Sequence, residues 1–459
     1  MSTRIIGIDL AVTAEHRAAI LAPATQQFVV KQMTFRSLPA DLERLLQRAQ
    51  EGAGVAPELV AVLEATSMAW HPVSLYLAQH GVKVYRVNGR MTKELRRVHS
   101  PHARSDRIDC QVLARLYSTC PEQLNLLHIP SGEQIMLQRA CRDLVRWRQL
   151  STAIENRLTA YDNWLWQGLS PLVPAKALNW VRSRWYSPWQ VVAADANVLA
   201  ADWRQHSAGK KNNKQDNKQD NKEDDDAAWL TRWQTRARQI ACLYATPDAV
   251  GLPQLADCVQ RYLSDKAYAE QQATTLYDKE IAPLYQRLYP DCPLTSIYGI
   301  GDQSAATYMA FIHSIDRFPT VERFRQWTGM VPRADQSGGA QTKGLHLTQA
   351  GPNLVKATLY LDANVARLWD PQLALIYYNQ MTVYGKHHSQ ALCAVASHLA
   401  NRIYAVLKRN QPYVLRNLDG NPISPNAARS LIHQQLHISE ETRRRTNKRS
   451  RSVAPTSTE

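Results

Sequence analysis

The sequence predicts a mixed α/β protein, with a layered α/β fold in its N-terminal part and helices in most of the remainder. Three observations support this prediction. Short apolar runs of strand length recur between residues 4 and 88, an apolar periodicity of helical type begins after Ser131, and 44% of the 459 residues are hydrophobic. A chain of this length has room for roughly two to four domains.

The N-terminal part begins with three predicted strands and then alternates helices with strands. The first strand, residues 4–10, reads RIIGIDL and carries Asp9 near its end. The other predicted strands are residues 16–23, 27–35, 57–66 and 82–88, and the predicted helices are residues 38–51 and 70–81. Three strands followed by alternating helices and strands indicate an α/β layer fold.

Asp106 and Asp109 stand three residues apart at the start of another predicted helix, which continues with apolar residues at helical spacing. Positions i and i+3 share a helix face, so both carboxylates would be presented to one place. Such like charges repel unless a cation neutralises them, and oxygen ligands suit Mg²⁺ or Mn²⁺. Acidic pairs also occur in the first turn of ordinary surface helices, so the pair alone leaves both interpretations open.

Asp9 and Glu64 supply two further carboxylates, each near the end of a predicted buried strand. At one edge of a sheet these two residues and the helical pair would converge. That is the ribonuclease-H-like arrangement, and the four residues spell its D-E-D-D variant. A strand-end aspartate alone is often only a cap or turn residue, but four carboxylates in this order rarely arise by chance. We therefore predict a metal site there.

The charge of the chain favours a nucleic acid as its partner. The formal net charge is +15, which attracts polyanions. No apolar run reaches the roughly 18 residues that a membrane span needs, and no signal peptide is recognisable. The seven cysteines are scattered without a Cys-x-x-Cys motif, as expected of free thiols in a reducing compartment. The expected location is a reducing cytoplasm.

A basic segment separates the fifth predicted strand from the acidic pair. Positive side chains beside acidic ones suit a site in which a phosphate backbone must approach carboxylates. An ordinary solvated face is the alternative. The residues predicted to contact nucleic acid in this segment are Arg90, Lys93, Arg96, Arg97 and Arg104.

Residues 129–292 are predicted to be helical. Leu137, Ala140 and Leu144 begin an apolar stripe suited to helix packing, and the tryptophans that follow are interpreted mainly as packing residues. Residues 208–226 contain the near-repeats NKQD, NKQD and NKED and are predicted to be a disordered insertion. A short coiled-coil-like seam follows at Leu252, Leu255, Val259 and Tyr262.

The C-terminal part combines helices with two glycine-containing turns. Gly299 and Gly301 suggest a helix-hairpin-helix whose amides approach a DNA phosphate, although a plain tight turn fits equally well. Ser337 lies in a glycine-rich turn, and Lys343 follows it as a candidate phosphate ligand. Residues 413–459 are interpreted as a basic tail, and its arginine-rich end, from Arg443 to Arg451, is expected to be disordered until it meets nucleic acid.

Taken in order, these motifs resemble the transposases of the insertion-sequence-110 family, which are RNA-guided DNA recombinases. The resemblance covers about residues 1–165 and 255–410. Its N-terminal marks are Ile8-Asp9, Leu63-Glu64 and Ser105-Asp106-Arg107-Ile108-Asp109, and its C-terminal marks are Ile297-Tyr298-Gly299-Ile300-Gly301, Arg317-Phe318, Trp327-Thr328-Gly329-Met330-Val331-Pro332, Gln336-Ser337-Gly338, Gly351 and Ala363.

The resemblance implies a RuvC-like domain at residues 1–128, a helical and coiled-coil region at 129–292, and a mainly α-helical transposase domain at 293–412. It implies that Asp9, Glu64, Asp106 and Asp109 bind Mg²⁺ or Mn²⁺ and that Ser337 is the nucleophile. The implied partners are donor and target DNA, a structured guide RNA and further copies of the chain, as a dimer to tetramer. Carboxylates of one subunit and the serine of another would then form a composite site. The implied location is the bacterial cytoplasm, in association with the nucleoid.

The chain departs from the family pattern at a few positions. The polar insertion and the tryptophan-rich region make it longer than usual, Pro352 and Lys356 stand where Asn and Arg are common, and Cys110 stands where Ala is usual. Two other functions remain open at this point. One is a hydrolytic RuvC-like nuclease that uses the same carboxylates without Ser337, and the other is a nucleic-acid-binding protein without catalysis.

Overall fold

The computed structural model of the chain describes residues 2–53, 57–64, 68–87, 89–99, 105–208, 220–332, 336–337, 340–341, 346–348 and 350–452. The chain divides into two compact units, residues 1–131 and 132–459. All seven cysteines are free thiols. None of the helices within the described ranges combines the length and the apolar character needed to cross a lipid bilayer.

The first unit is built on a six-stranded sheet. Its strands are β1 (Thr3–Asp9), β2 (His16–Ala22), β3 (Gln27–Phe35), β4 (Glu58–Glu64), β5 (Lys83–Val87) and β6 (Asn125–Leu126). They lie in the order β3-β2-β1-β4-β5-β6. The strand β1 is central, because it pairs antiparallel with β2 on one side and parallel with β4 on the other.

Helices cover both faces of this sheet. They are α1 (Pro39–Gln50), α2 (Trp70–Gln79), α3 (Gly89–His99) and α4 (Asp106–Thr119). Successive strand residues point to opposite faces, and β1 shows the effect. Ile6 and Ile8 pack with residues of α1 and α2, whereas Ile5 packs with Leu113 of α4. The near-continuous apolar runs in the sequence reflect this burial on both faces.

The second unit is almost entirely helical within its described residues. Its α-helices are α5 (Gly132–Trp166), α6 (Leu178–Arg184), α7 (Pro188–Ala193), α8 (Ala196–Ala208), α9 (Asp220–Tyr244), α10 (Leu252–Leu276), α11 (Ala282–Leu288), α12 (Asp302–Ile312), α13 (Val321–Thr328), α14 (Asn353–Ala366), α15 (Pro371–Thr382), α16 (His388–Arg409), α17 (Pro425–Gln435) and α18 (Glu440–Ser452), with a two-stranded hairpin of β7 (Gln336–Ser337) and β8 (Ala340–Gln341).

Tryptophans form the centre of one of the two large cores in this unit. Trp166, Trp180, Trp203 and Trp233 are fully buried and pack together between the second half of α5 and helices α6 to α10. Their rings contact one another at centroid distances such as 5.4 Å for Trp180 and Trp203. These side chains therefore stabilise the fold and do not offer stacking surfaces for bases. The other core joins the first half of α5 to helices α11 to α16.

Three local interpretations of the sequence differ from the structure. Residues 220–226, placed in the disordered insertion, belong to α9, and residues 209–219 lie outside the described part of the chain. The arginine-rich end from Arg443 to Arg451, expected to be disordered, lies in α18, whose Thr446 is buried. For the glycine turn near Gly299, a helix-hairpin-helix and a plain tight turn were both open, and the structure has a single 3-10 turn, Pro293–Ser296, in place of a first helix.

Candidate active site

Asp9 and Glu64 lie side by side at the carboxyl ends of neighbouring parallel strands. Ile8 of β1 pairs with Leu63 of β4, so the next residue in each strand continues the same register. The alternation of the strands also places both carboxylates on the face of the sheet that α4 covers. Ile5 in β1 and Val62 in β4, which share the parity of Asp9 and Glu64, pack in the cluster that contains the α4 residues.

Helix α4 approaches this strand pair at a glycine. A Cβ atom on Gly7 would overlap the carbonyl oxygen of Cys110 and the amide nitrogen of Ala114. A glycine in the middle of a strand weakens the strand, and close approach of another backbone is a reason to keep one. Gly7 thus sets how closely the first turns of α4 approach β1.

The N-terminus of α4 carries the acidic pair. Ser105 caps the helix, and its Oγ accepts a hydrogen bond from the amide of Ile108 at 3.4 Å. Asp106 and Asp109 therefore stand in the first turn, where the helix dipole favours negative charge. The side chain of Asp106 lies outside the described part of the structure. Burial, together with the nearby charge of Asp9, raises the pKa of Cys110 to about 12, which places Asp9 beside this turn.

Asp109 forms an ion pair with Arg96 of α3. One guanidinium nitrogen, Nη1, donates to both carboxylate oxygens, at 2.7 Å to Oδ1 and 2.9 Å to Oδ2. The two side chains are only 15% and 16% exposed. This ion pair was not expected, because Arg96 was predicted from the sequence to contact nucleic acid. In this structure the positive charge of Arg96 is directed at a candidate metal ligand instead.

Glu64 lies against the start of α3. A Cβ atom on Gly89, the first residue of that helix, would come within 3.0 Å of the Glu64 carboxyl carbon. Unpaired amides at a helix N-terminus and the positive end of its dipole favour a carboxylate there. The Glu64 carboxylate is therefore in close contact with the first residue of α3.

His16 holds the turn that follows Asp9. Its Nδ1 accepts a hydrogen bond from the amide of Ala11 at 3.1 Å, and its Nε2 lies 2.8 Å from the hydroxyl of Ser37. Burial lowers the pKa of His16, so the neutral imidazole that can accept from Ala11 is favoured. No sequence motif marked this residue, because its role depends on two loops that meet only in the fold.

The acidic residues fit a hard divalent cation by their donor chemistry, since carboxylate oxygens are the ligands that Mg²⁺ and Mn²⁺ prefer. Among the described side chains, no three His, Cys, Asp or Glu groups are already gathered closely enough to share an ion. At Asp109 the carboxylate faces the guanidinium of Arg96, which donates hydrogen bonds to both of its oxygens. A further lone pair remains on each oxygen, so a cation that binds this carboxylate does so against the positive charge of Arg96.

The other residues predicted to bind nucleic acid in this unit are only partly described. Lys93 and Arg97 are exposed on α3, where they are available to a phosphate backbone. The side chain of Arg90 and the whole of Arg104 lie outside the described residues. Helix α3 itself was not predicted, because its basic residues obscured the inward-facing Met91 and Leu95 that pack against the sheet.

Gly299 and Gly301 have different surroundings. Gly299 has a φ of +99°, and a Cβ atom there would lie 2.7 Å from the amide nitrogen of Ala366. Packing against α14 accounts for this glycine, so the proposed approach to a phosphate is not needed to explain it. Gly301 precedes α12 with open space at its Cβ position, as an approach by a ligand to the helix N-terminus would require.

Ser337 lies in the short hairpin of the second unit. It pairs with Ala340 across β7 and β8, and its side chain, like the whole of Lys343, lies outside the described part. The two ends of the segment that carries Ser337 are joined by a β-bridge between Pro332 and Leu347. The amide of Thr348 also donates a hydrogen bond to the carbonyl of Val331 at 2.9 Å.

Two glycines of the sequence motifs reinforce this connection. Gly329 ends α13 with a φ of +72°, and a Cβ atom on it would overlap the carbonyl oxygen of Ala350. Gly351 has a φ of +71°, and its Cβ would overlap the carbonyl oxygen of Trp327. Both positions need glycine for the backbone conformation and for the close approach. The two ends of the segment that carries Ser337 are thus held together.

Comparisons with known proteins agree on one kind of protein. The family model described as "Transposase IS116/IS110/IS902 family" matches residues 292–378. The model named for the DEDD transposase of IS110, described as "Transposase", matches residues 6–161. The chain is also similar to the "Insertion element IS110 uncharacterized 43.6 kDa protein" of Streptomyces coelicolor, with 24% identity over 418 residues that cover 90% of this chain and 95% of that protein.

Proposed function

The chain belongs to the IS110 family of transposases of mobile elements, and we propose that it cuts and rejoins DNA through a phosphoserine intermediate at Ser337. DNA is the substrate of a transposase, and the DEDD match indicates a divalent metal ion requirement. The proposal assigns a role to each catalytic residue. Ser337 is the nucleophile, and the metal is held by Asp9, Glu64, Asp106 and Asp109. A structured guide RNA selects the DNA.

One observation carries the metal half of this proposal. Asp9 and Glu64 end adjacent parallel strands in register, on the face that α4 covers, and α4 begins with the acidic pair. The strand order, with β2 antiparallel beside a central β1, supports the ribonuclease-H-like assignment of this unit. The family match speaks against the non-catalytic alternative.

The chemistry that a bound Mg²⁺ or Mn²⁺ supplies is neutralisation of these carboxylates and polarisation of the scissile phosphate. Ser337 Oγ attacks phosphorus, so that a bond from Oγ to phosphorus forms while the bond from phosphorus to the 3′ oxygen breaks. The hydroxyl proton ends on the departing 3′ oxygen. A serine hydroxyl is a poor nucleophile unless it is activated, and the covalent phosphoserine conserves the phosphodiester energy for rejoining without ATP.

The pairing of DNA with a guide RNA is part of the proposal because the motifs of this chain resemble those of RNA-guided recombinases. In that mode base pairing determines the sequence choice, and protein contacts follow the shape and backbone of the nucleic acid. Lys93 and Arg97 are exposed on α3, the helix whose Arg96 pairs with Asp109, and they suit backbone contacts of this kind.

The test is a search for a denaturation-resistant protein–DNA adduct. Purified protein, RNA transcribed from the flanks of its own gene, labelled DNA and Mg²⁺ are combined for the wild type, Ser337→Ala and Asp106→Ala. We expect an adduct with the wild type and none with either variant. Ser430→Ala, which changes an exposed serine on α17, is the control and retains the adduct.

The same experiment separates the proposal from its main rival. A hydrolytic nuclease uses metal-bound water as the nucleophile and needs no serine. Cleavage without any adduct, retained in Ser337→Ala and lost in Asp106→Ala, would overturn the recombinase proposal in favour of that nuclease.

A further inference from the structure

Several cationic side chains meet at one end of the helices in the second unit. Arg367 follows the last residue of α14, and its guanidinium lies over the ring of Tyr377, 4.2 Å from the centroid. Its Nε and Nη2 donate to Oδ1 of Asn364 at 3.1 and 2.9 Å. The Tyr377 hydroxyl lies 2.7 Å from Nδ1 of His388, the first residue of α16. Arg367 and His388 are thus held by the same buried tyrosine.

Arg443 of α18 adds a second guanidinium to this group. Burial lowers the pKa of Arg367, and the charge of Arg443 lowers it further. Burial lowers the pKa of His388 in the same way, and Arg367, Arg443 and His387 add to the effect. Helix α18 packs against α15, which carries Tyr377, and against α16, which begins with His388, so Arg443 is carried by a helix that contacts both partners of this group.

The protein itself does not provide that counter-charge among the described residues. No carboxylate there forms an ion pair with Arg367 or Arg443. Asp370, three residues after Arg367, is bound instead by Arg402 and by the hydroxyl of Tyr413, each on its Oδ2. Arg367 and His388 are half-buried, and a positive charge held there without a carboxylate is stabilised when an anion binds.

The start of α16 adds donors of the kind that an anion needs. The residue before it, His387, makes no side-chain cap, so the first amides of this 22-residue helix remain available. Amides at a helix N-terminus together with arginine and histidine side chains match the oxygens of a phosphate. The neighbouring Arg444 and Arg445 on α18 are exposed, so the surface around the group stays positive, as a polyanion prefers.

We propose that Arg367, His388, Arg443 and the N-terminus of α16 form a binding site for a backbone phosphate of the DNA substrate. Duplex DNA is the polyanion that the family membership supplies. This proposal rests on the proposed function, which identifies DNA as the ligand. It adds a DNA contact that lies outside the carboxylate site and the serine hairpin. It also gives a role to α18, which carries Arg443.

The test compares two neighbouring arginines on the same helix. Arg443→Gln removes a charge from the group, whereas Arg444→Gln removes the same charge from a residue that is ion-paired with Glu440 at 3.0 Å. Binding of a short fluorescent DNA duplex is measured by anisotropy over a series of salt concentrations, with full-length protein.

We expect Arg443→Gln to weaken binding about tenfold, as the loss of one charged hydrogen bond does, and to reduce the salt slope by about 1. Arg444→Gln stays within about twofold of the wild type. Arg367→Gln behaves like Arg443→Gln, and its melting temperature shows whether the fold is retained. Because Arg443 is exposed, its variant keeps the test valid even if Arg367→Gln unfolds.

The outcomes separate the two proposals. Equal losses in Arg443→Gln and Arg444→Gln, with normal DNA binding by the wild type, would overturn the phosphate site and leave the proposed function intact. A loss seen with an RNA duplex of the same length but not with DNA would overturn the assignment to DNA. If the wild-type protein binds no DNA, either alone or with RNA transcribed from the flanks of its own gene, the proposed function fails and this site fails with it.

Discussion

The guanidinium of Arg96 and a divalent cation compete for the same two oxygens of Asp109. Arg96 is only 15% exposed and contacts both oxygens from one nitrogen, so it fills part of the lone-pair sites of this carboxylate and its positive charge opposes a cation there. Arg96→Gln should therefore destabilise the metal-free protein by about 2 kcal/mol, the value of a charged hydrogen bond. It should also tighten Mn²⁺ binding by about tenfold, because the competitor is gone. Melting curves and titrations with Mn²⁺ alone measure both effects.

The control for this prediction is Arg97→Gln, which removes the same charge from the next residue of α3. Arg97 is exposed and holds no carboxylate among the described residues. Its loss should change neither the melting temperature nor the affinity for Mn²⁺ appreciably. Equal Mn²⁺ affinities of the two variants would show that Arg96 does not compete for Asp109.

Asp362 makes the stability of the second unit depend on pH. This carboxyl on α14 is buried, and burial raises its pKa to about 6 from 3.8, although Tyr308 and Ser304 donate hydrogen bonds to it. The folded state thus binds the proton more tightly than the unfolded state. The resulting stabilisation is complete below pH 3.8 and is lost as the pH rises through about 6. The difference corresponds to about 3 kcal/mol.

Asp362→Asn tests this dependence, because asparagine has a similar shape and does not titrate. The unfolding free energy of the wild type should fall relative to that of the variant by up to about 3 kcal/mol between acid and neutral pH. Equilibrium unfolding by urea at several pH values gives the comparison. Parallel pH profiles for the two proteins would contradict the raised pKa of Asp362.

At the scale of elements, the contact between β1 and α4 sets how closely the helix that begins with the acidic pair approaches the strand that ends in Asp9. Gly7→Ala would place a methyl group where the backbone of α4 lies, against Cys110 and Ala114. Relief requires α4 to move away from β1, which carries the acidic pair away from Asp9. We expect a loss of about 1–3 kcal/mol in the unfolding free energy, as for overpacked cores, together with weaker Mn²⁺ binding.

Gly132→Ala is the matched control for that change. Gly132 begins α5, and a Cβ atom there meets nothing within 4 Å. Its unfolding free energy should remain within about 0.5 kcal/mol of the wild type. Urea unfolding compares the two variants directly, and equal stabilities would show that α4 tolerates a side chain at position 7.

The elements that the sequence predicted well are those whose patterns are local. The apolar runs that end in Asp9 and Glu64 are strands β1 and β4, and the spacing after Asp106 is helix α4. Helix α3 was missed because basic residues dominate its composition. The pairing of Arg96 with Asp109 was missed for another reason: it depends on two helices crossing, which residue spacing alone does not specify.

At the scale of the whole molecule, the candidate catalytic groups belong to different units. The four carboxylates belong to residues 1–131, and Ser337 belongs to residues 132–459. The two units have separate hydrophobic cores. The sequence suggested this separation through its change from strand to helical patterns near Ser131. It could not show which copies of the chain supply each half of a site, because no residue pattern encodes the assembly.

Mixing two inactive variants tests whether the site is composite. Asp9→Asn lacks a carboxylate, and Ser337→Ala lacks the nucleophile, so neither alone should form the protein–DNA adduct. If carboxylates of one subunit act with the serine of another, a mixed assembly contains some complete sites, and the adduct should return at a fraction of the wild-type yield. The adduct should carry only the Asp9→Asn chain, which retains Ser337, and a size tag identifies it.

A mixture of Asp9→Asn with Glu64→Gln supplies no intact carboxylate set and should stay inactive. Absence of adduct from the first mixture, with an active wild type, would indicate that each chain uses its own serine.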